Sequence, residues 1–311
     1  MKNKLFNTAK LLRPKQWIKN FAVFASVIFT GQLFNSDALT KSIFAFIIFC
    51  LMSSSIYIIN DIYDIKNDKL HPFKKLRPLP SGALSKKYAY YIFTVLFIAS
   101  LVASLMLNTG FFILAIVYLI LQFLYSAKLK HIEIIDILTL ASGYILRVYS
   151  GEVATGFHIS VWLVLTTVAL SLFLAVGKRR AELTLLSNKV GQNIEATRKT
   201  LFHYSEKLLD VYISIFVTAA FVFYSFFTFL NNPTNMTTFP VISLDFSPFL
   251  QRKWLMLTII PVVYGLMRYL EDIYEKHEGE SPEKVFLSDF PLLMDVTIWA
   301  ILVIIIIYFV S

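Results

Sequence analysis

The chain has a single cysteine, Cys50, in 311 residues. No intrachain disulfide can form, and no thiolate pair is available for a metal or a redox cycle. Five scattered histidines leave zinc and haem without a ligand cluster. No Gly-rich phosphate loop, Gly-x-Ser-x-Gly elbow or His-Glu-x-x-His pair is present, which removes P-loop hydrolysis, serine-esterase chemistry and zinc proteolysis. Charge is also sparse, at 16% of residues. The loops, about 20 to 30 residues at most, are too short to fold as soluble domains.

What the chain has is apolar surface. Hydrophobic residues make up 57% of it, with 29 phenylalanines. No soluble core needs so much, so the chain reads as an all-α, polytopic membrane protein with residues 1–311 forming one transmembrane domain. Nine candidate spans are expected at 17–34, 42–62, 87–107, 110–127, 134–154, 159–177, 208–231, 254–271 and 291–310. Basic residues precede the first apolar run and no small-residue cleavage site follows it, so that run is expected to be a transmembrane helix rather than a removed signal. With nine crossings, 25 of the 29 Lys/Arg fall on one side. The positive-inside rule then places the N-terminus and the polar loops in the cytoplasm and the C-terminus outside, in the cell membrane. The net charge of +9 is a sidedness signal and not evidence for nucleic acid.

The stretch from Asn60 to Asp68 is the chemically dense part. Ionisable groups at the end of an apolar span are costly and usually have a task. In a continuous helix, Asn60, Asp61, Asp64 and Asp68 fall within an arc of about 100°. Clustered carboxylates repel unless a cation sits among them, and hard oxygen ligands suit Mg²⁺ bridging to a phosphate. These four are therefore the expected metal-holding residues, with Asp61, Asp64 and Asp68 the expected catalytic carboxylates. The following loop, with His71, Pro72, Lys74, Lys75, Arg77, Pro78, Pro80 and Gly82, is stiff and basic. Lys74 and Arg77 are candidates for the remaining phosphate oxygens.

Other polar groups gather on the same side. Tyr125, Lys128, Lys130, Glu133 and Asp136 lie around the loop after 110–127. Asp136 and Arg147, eleven residues apart, share a helix face at a separation of about 16 Å. An arginine inside a span needs a partner, a polar cavity or an anion. Lys178 and Arg179 belong to a basic cluster with Arg180 and Glu182, a pattern that also suits a stop-transfer flank. Lys19 and Asn20 follow Trp17, which is expected to anchor an interfacial helix.

Asn60-Asp61-x-x-Asp64-x-x-x-Asp68 followed by Arg77-Pro78-Leu resembles the first aspartate-rich motif of the UbiA-type intramembrane prenyltransferases. The resemblance implies a helical bundle with a cytoplasm-facing polar cavity and use of Mg²⁺. The second aspartate pair usual in aromatic prenyltransferases is missing. Arg13-Pro14-x-Gln16-Trp17-x-Lys19-Asn20, Tyr125-Ser126-x-x-Leu129-Lys130, Gly177-Lys178-Arg179-Arg180-Ala181-Glu182-Leu183, Arg268-Tyr269 and Pro282-Glu283 resemble the branch that makes decaprenylphosphoryl-5-phosphoribose. That branch implies phosphoribosyl pyrophosphate as donor and a polyprenyl phosphate as acceptor. It places the pyrophosphate with Asn60, Asp61, Asp64 and Asp68, and donor phosphates with Lys74, Arg77, Lys128 and Lys130. The lipid phosphate goes to Lys19, and Glu133 and Asp136 take ribose hydroxyls or a second metal. A prenyl-diphosphate-dependent transferase acting on a small acceptor is the alternative enzyme, and a transporter the alternative class. Homo-oligomerisation is left open.

Overall fold

Asparagine, serine and aspartate stand where the long helices begin, because their side chains can take up the N–H groups a first turn leaves unpaired. The structure, a computed structural model, describes residues 2–70, 74–187, 204–231, 253–276 and 282–310. All regular elements among them are helical: α1 (Lys2–Leu12), α2 (Ala25–Phe29), α3 (Ser36–Tyr63), α4 (Ile65–Leu70), α5 (Lys86–Leu107), α6 (Thr109–Ala127), α7 (Ile135–Thr155), α8 (Val161–Ser187), α9 (Glu206–Leu230), α10 (Ile259–Tyr274), α11 (Pro282–Ser288) and α12 (Phe290–Phe309). Asn35, Ser85, Asn108, Ser205 and Asp289 cap α3, α5, α6, α9 and α12. Gly156, at φ 78°, closes α7 in the left-handed conformation that glycine adopts without a Cβ penalty.

Seven helical runs among the described residues are long and apolar enough to cross a membrane: α3, α5, α6, α8, α9, α12 and Trp254–Tyr274, which contains α10. The other two expected spans are built differently. The 134–154 run is α7, twenty-one residues long, whose polar content is turned inward as buried Asp136 and Arg147. The 17–34 run is not one α-helix. Pro14–Phe24 winds as a 3₁₀ helix before α2 takes over.

A 3₁₀ helix repeats every three residues, so Trp17, Asn20 and Val23 line one edge, which Ser26 in the first turn of α2 continues, and that edge makes the contacts. The Trp17 indole donates to Ser54 Oγ at 3.0 Å, and Asn20 Nδ2 reaches Cys50 Sγ and Ser53 Oγ, each at 3.3 Å. Trp17 therefore ties this segment to α3. Ser26 Oγ donates to the Phe157 carbonyl at 2.7 Å. Opposite Val23, α7 presents Gly151, where a Cβ would lie 1.9 Å from the Val23 carbonyl oxygen. Backbone cannot yield as a side chain can. Gly151→Ala is expected to destabilise the protein by about 1–3 kcal/mol or more, read as a lower unfolding temperature in detergent.

Apolar packing alone does not hold helices together in lipid, because lipid tails are as apolar as leucine. Polar ties supply part of the difference, at about 0.6 to 1.7 kcal/mol each. Arg180 on α8 reaches Asp210 on α9 at 2.8 Å, and Tyr274 on α10 donates to the same carboxylate at 2.7 Å. At the start of α12, Asp289 accepts from Arg268 at 2.8 Å and from Lys276 at 2.6 Å. The Arg268 hydrogen bonds hold the Asp289 carboxyl well below the usual carboxylate range. Chain order brings the ends of α3, α6, α8 and α10 together with the starts of α5, α7, α9 and α12. The polar side chains of interest lie at this end.

Candidate active site

Asp61 sits in the last turn of α3. The helix stops at Tyr63 because Asp64 adopts φ −88°, ψ 3°, yet Asp64 N still bonds the Asn60 carbonyl at 2.9 Å and Asp68 N the Asp64 carbonyl at 2.8 Å. The chain therefore kinks once and resumes as α4. That kink divides the four residues expected on one face. Asp61 and Asp68 are buried and converge on Arg77, whose Nη1 lies 3.2 Å from Asp61 Oδ1 and 2.7 Å from Asp68 Oδ2. Arg13 also donates to Asp61 Oδ1. Asp64 turns instead towards Lys130, at 3.6 Å. Among the described residues no three His, Cys, Asp or Glu side chains meet around one metal-sized point.

The donor set nevertheless fits a hard divalent cation. Asn60 Oδ1 is buried without a hydrogen-bond partner, which a native structure rarely leaves unexplained. It is an oxygen acceptor next in the chain to Asp61, the ligand chemistry Mg²⁺ takes.

Arg77 is held by its loop. Leu79 and Leu84 are buried against Leu11, Ile58, Ile62 and Ala89. Arg77 N bonds the Lys74 carbonyl, Ser81 N the Arg77 carbonyl and Leu84 N the Pro78 carbonyl, each at 3.0 Å. Lys74 opens the 3₁₀ turn Lys74–Leu76 just before it. The loop residues His71 and Pro72, and Arg252 in the basic-residue count, lie outside the described residues, as do the Pro282 and Glu283 side chains.

A second polar cluster lies at the start of α7. Asp136 Oδ2 is 2.6 Å from Arg179 Nε, with both side chains 1% exposed. Arg179 also donates to Glu182 and, at 3.0 Å, to Tyr125 Oη. Tyr204 donates to Asp136 Oδ1 at 3.0 Å. Burial pushes its phenol up to about 12, so it stays a donor. The same Tyr204 hydroxyl accepts from Ile134 N at 2.5 Å, holding that β-branched residue at φ 60°, a strained position. Asp136 and Arg179 are thus committed to each other. Glu133, three residues before the buried Asp136, is exposed. Lys128 is exposed at the end of α6.

Between the clusters is a cavity. Its lining includes Lys19, Tyr57, Tyr125, Tyr144, Arg147 and Lys178 and, among the described residues, no carboxylate. Arg147 is fastened by three hydrogen bonds: Nε to Asn20 Oδ1 at 2.8 Å, Nη1 to the Gly143 carbonyl at 2.5 Å and Nη2 to Tyr118 Oη at 2.8 Å. A guanidinium has five N–H groups, three of which are used in these bonds, and Arg147 also lines the cavity. Asn20 is fully buried and serves as the support of Arg147, while its neighbour Lys19 faces the cavity. Asp136 and Arg147 share α7 but belong to different clusters.

Residues 21–290 match the UbiA prenyltransferase family. The chain belongs to this family. Relatives along most of its length include the decaprenyl-phosphate phosphoribosyltransferase of Mycolicibacterium smegmatis, 35% identical over 93% of this chain and 88% of the relative. The protein of that name from Corynebacterium glutamicum is 32% identical over 99% and 88%. The fold is similar to that of a UbiA homolog from Archaeoglobus fulgidus bound to GPP and Mg²⁺, with a TM-score of 0.70 and 16% identity over 97% and 99% of the two chains. It is also similar to a digeranylgeranylglyceryl phosphate synthase structure, with a TM-score of 0.62 and 21% identity over 99% of each chain.

Arg13, Tyr57 and Tyr144 were not among the expected site residues. Tyr57 lies seven residues before Asp64, two helical turns away, and Tyr144 three before Arg147, so periodicity contains both. Arg13 has only its place before Pro14 to signal it.

Proposed function

We propose that the protein is a membrane phosphoribosyltransferase. It moves the 5-phosphoribosyl group from phosphoribosyl pyrophosphate to a polyprenyl phosphate of decaprenyl type and releases pyrophosphate. One observation carries the reading: an acid cluster with basic partners lies beside a separate cavity that bears Lys19, Arg147 and Lys178 and, among the described residues, no carboxylate. A reaction joining a diphosphate donor to a phosphate acceptor needs both kinds of seat. The names of the Mycolicibacterium smegmatis and Corynebacterium glutamicum relatives support the same phosphoribosyl group and decaprenyl phosphate acceptor.

In this reading α7 and the 14–29 segment join the seven apolar runs to give nine crossings. The site end then faces the cytoplasm, where a soluble phosphorylated donor is available, and the C-terminus lies outside the cell membrane. Asn60, Asp61, Asp64 and Asp68 would hold Mg²⁺, which supplies neutralising charge for the departing pyrophosphate. Lys74, Arg77, Lys128 and Lys130 bind donor phosphates, and Lys19 orients the lipid phosphate. An oxygen of that phosphate forms the new bond to C1 of the ribose. The bond from C1 to the pyrophosphate oxygen breaks, and its electron pair leaves with pyrophosphate. The attacking phosphate is already anionic near neutral pH, so no side chain need remove a proton. Positioning and charge stabilisation do the rest.

Lys19→Met is expected to raise KM for polyprenyl phosphate about 10- to 100-fold, the equivalent of one charge-assisted hydrogen bond, with KM for phosphoribosyl pyrophosphate nearly unchanged. Steady-state kinetics in detergent with each substrate varied in turn check this. A rise confined to the sugar donor would reassign Lys19.

A further inference from the structure

Arg13 and Arg77 stand between the buried acids and solvent. The Asp61 and Asp68 side chains are 4% and 6% exposed, whereas those of Arg13 and Arg77 are 24% and 30% exposed. Both guanidiniums approach the same Asp61 oxygen, and Arg77 also spans to Asp68. Two carboxylates are thus matched by two cations. A bare divalent cation entering this neutral cluster meets two positive charges and must break their hydrogen bonds without replacement. A cation carried on a diphosphate brings new acceptors with it, and phosphate oxygens suit the guanidinium fork as well as carboxylates do.

We propose that Arg13 and Arg77 hold the place of the divalent cation at Asp61 and Asp68, and transfer their N–H groups to diphosphate oxygens when metal and diphosphate arrive. Arg13 thereby becomes a diphosphate-binding residue. The idea rests on the metal–diphosphate reading of this site. The backbone needs no rearrangement for it. Arg13 is fixed at φ 54° between α1 and Pro14, and Arg77 by its hydrogen-bonded turn, so side-chain rotation suffices. The Arg13 guanidinium lies 5.1 Å from the Tyr57 ring centroid, and Tyr57 lines the cavity, so the released group stays at the cavity edge. Metal and diphosphate then load together, each strengthening the other by the same factor.

The test is Mn²⁺ binding to the purified full-length protein, followed by electron paramagnetic resonance with and without inorganic pyrophosphate and corrected for Mn²⁺–pyrophosphate in solution. The wild type should bind Mn²⁺ alone weakly and about tenfold or more tightly with pyrophosphate, a normal coupling range. Arg77→Met and Arg13→Gln should each tighten binding of Mn²⁺ alone by about tenfold and shrink the pyrophosphate enhancement. Variants that bind Mn²⁺ alone no better than wild type, or that keep the full enhancement, overturn the exchange. If Arg77→Met does not fold, Arg13→Gln carries the test, because Arg77 still satisfies both carboxylates. A protein that transfers phosphoribose normally but shows no gain in either variant contradicts the exchange and leaves the proposed function standing.

Discussion

Asp64→Ala is expected to lower phosphoribosyl transfer by about 10²- to 10³-fold, the usual consequence of removing one preorganised charge-stabilising group, with folding almost unaffected. Among the three carboxylates Asp64 gives the cleanest test. Its side chain is 37% exposed and its one ion-pair partner among the described residues, Lys130, is 3.6 Å away, so its loss should move stability by no more than about 0.5 kcal/mol. Asp61→Ala would strip a shared partner from Arg13 and Arg77 and mix two effects. The measurement is turnover in detergent alongside a thermal unfolding curve. Full activity in Asp64→Ala would remove this residue from the metal-holding set, and a large loss of stability would show that its role is structural.

Arg179→Met should have the largest effect on stability. The guanidinium is buried with Asp136 and Glu182 and donates to Tyr125. Removing it leaves carboxylates uncompensated in a low-dielectric interior, at a cost of about 3–5 kcal/mol. The unfolding temperature and the yield of folded protein should both fall. The double variant Asp136→Leu, Arg179→Met should recover part of the loss, since the stranded charge at Asp136 goes with its partner. A single variant as stable as wild type would mean that this pair does not hold α7 to α8.

These pairings mark the boundary of what could be read along the chain. The long spans were legible because twenty apolar residues have few other uses, and the Asn60–Asp68 stretch because charge at the end of a span is expensive. Trp17, Asn20, Val23 and Ser26 were not legible as one edge. Over so short a segment, periods of 3.0 and 3.6 look alike, and the contact with α3 and Gly151 decides between them. The kink at Asp64 was equally hidden. Its backbone hydrogen bonds continue through it, and it shows in the Asp64 dihedrals and in the separate partners of Asp61 and Asp64. Arg13 and Asp61 are 48 residues apart, and local patterning does not pair groups at that range. The resemblance supplied the family and the proposed substrates. The structure added that Asp136 and Arg179 neutralise each other, while Lys19, Arg147 and Lys178 border a cavity without acids among the described residues.

Transfer of radiolabelled phosphoribosyl pyrophosphate to polyprenyl phosphate by membranes containing the protein tests the central proposal most directly. With Mg²⁺ present, label should move into the lipid-soluble fraction as a polyprenyl phosphoribosyl phosphate with equimolar pyrophosphate released, and the Asp64→Ala membranes should not do this at a comparable rate. No lipid-soluble label, together with consumption of a labelled prenyl diphosphate in its place, would contradict the account.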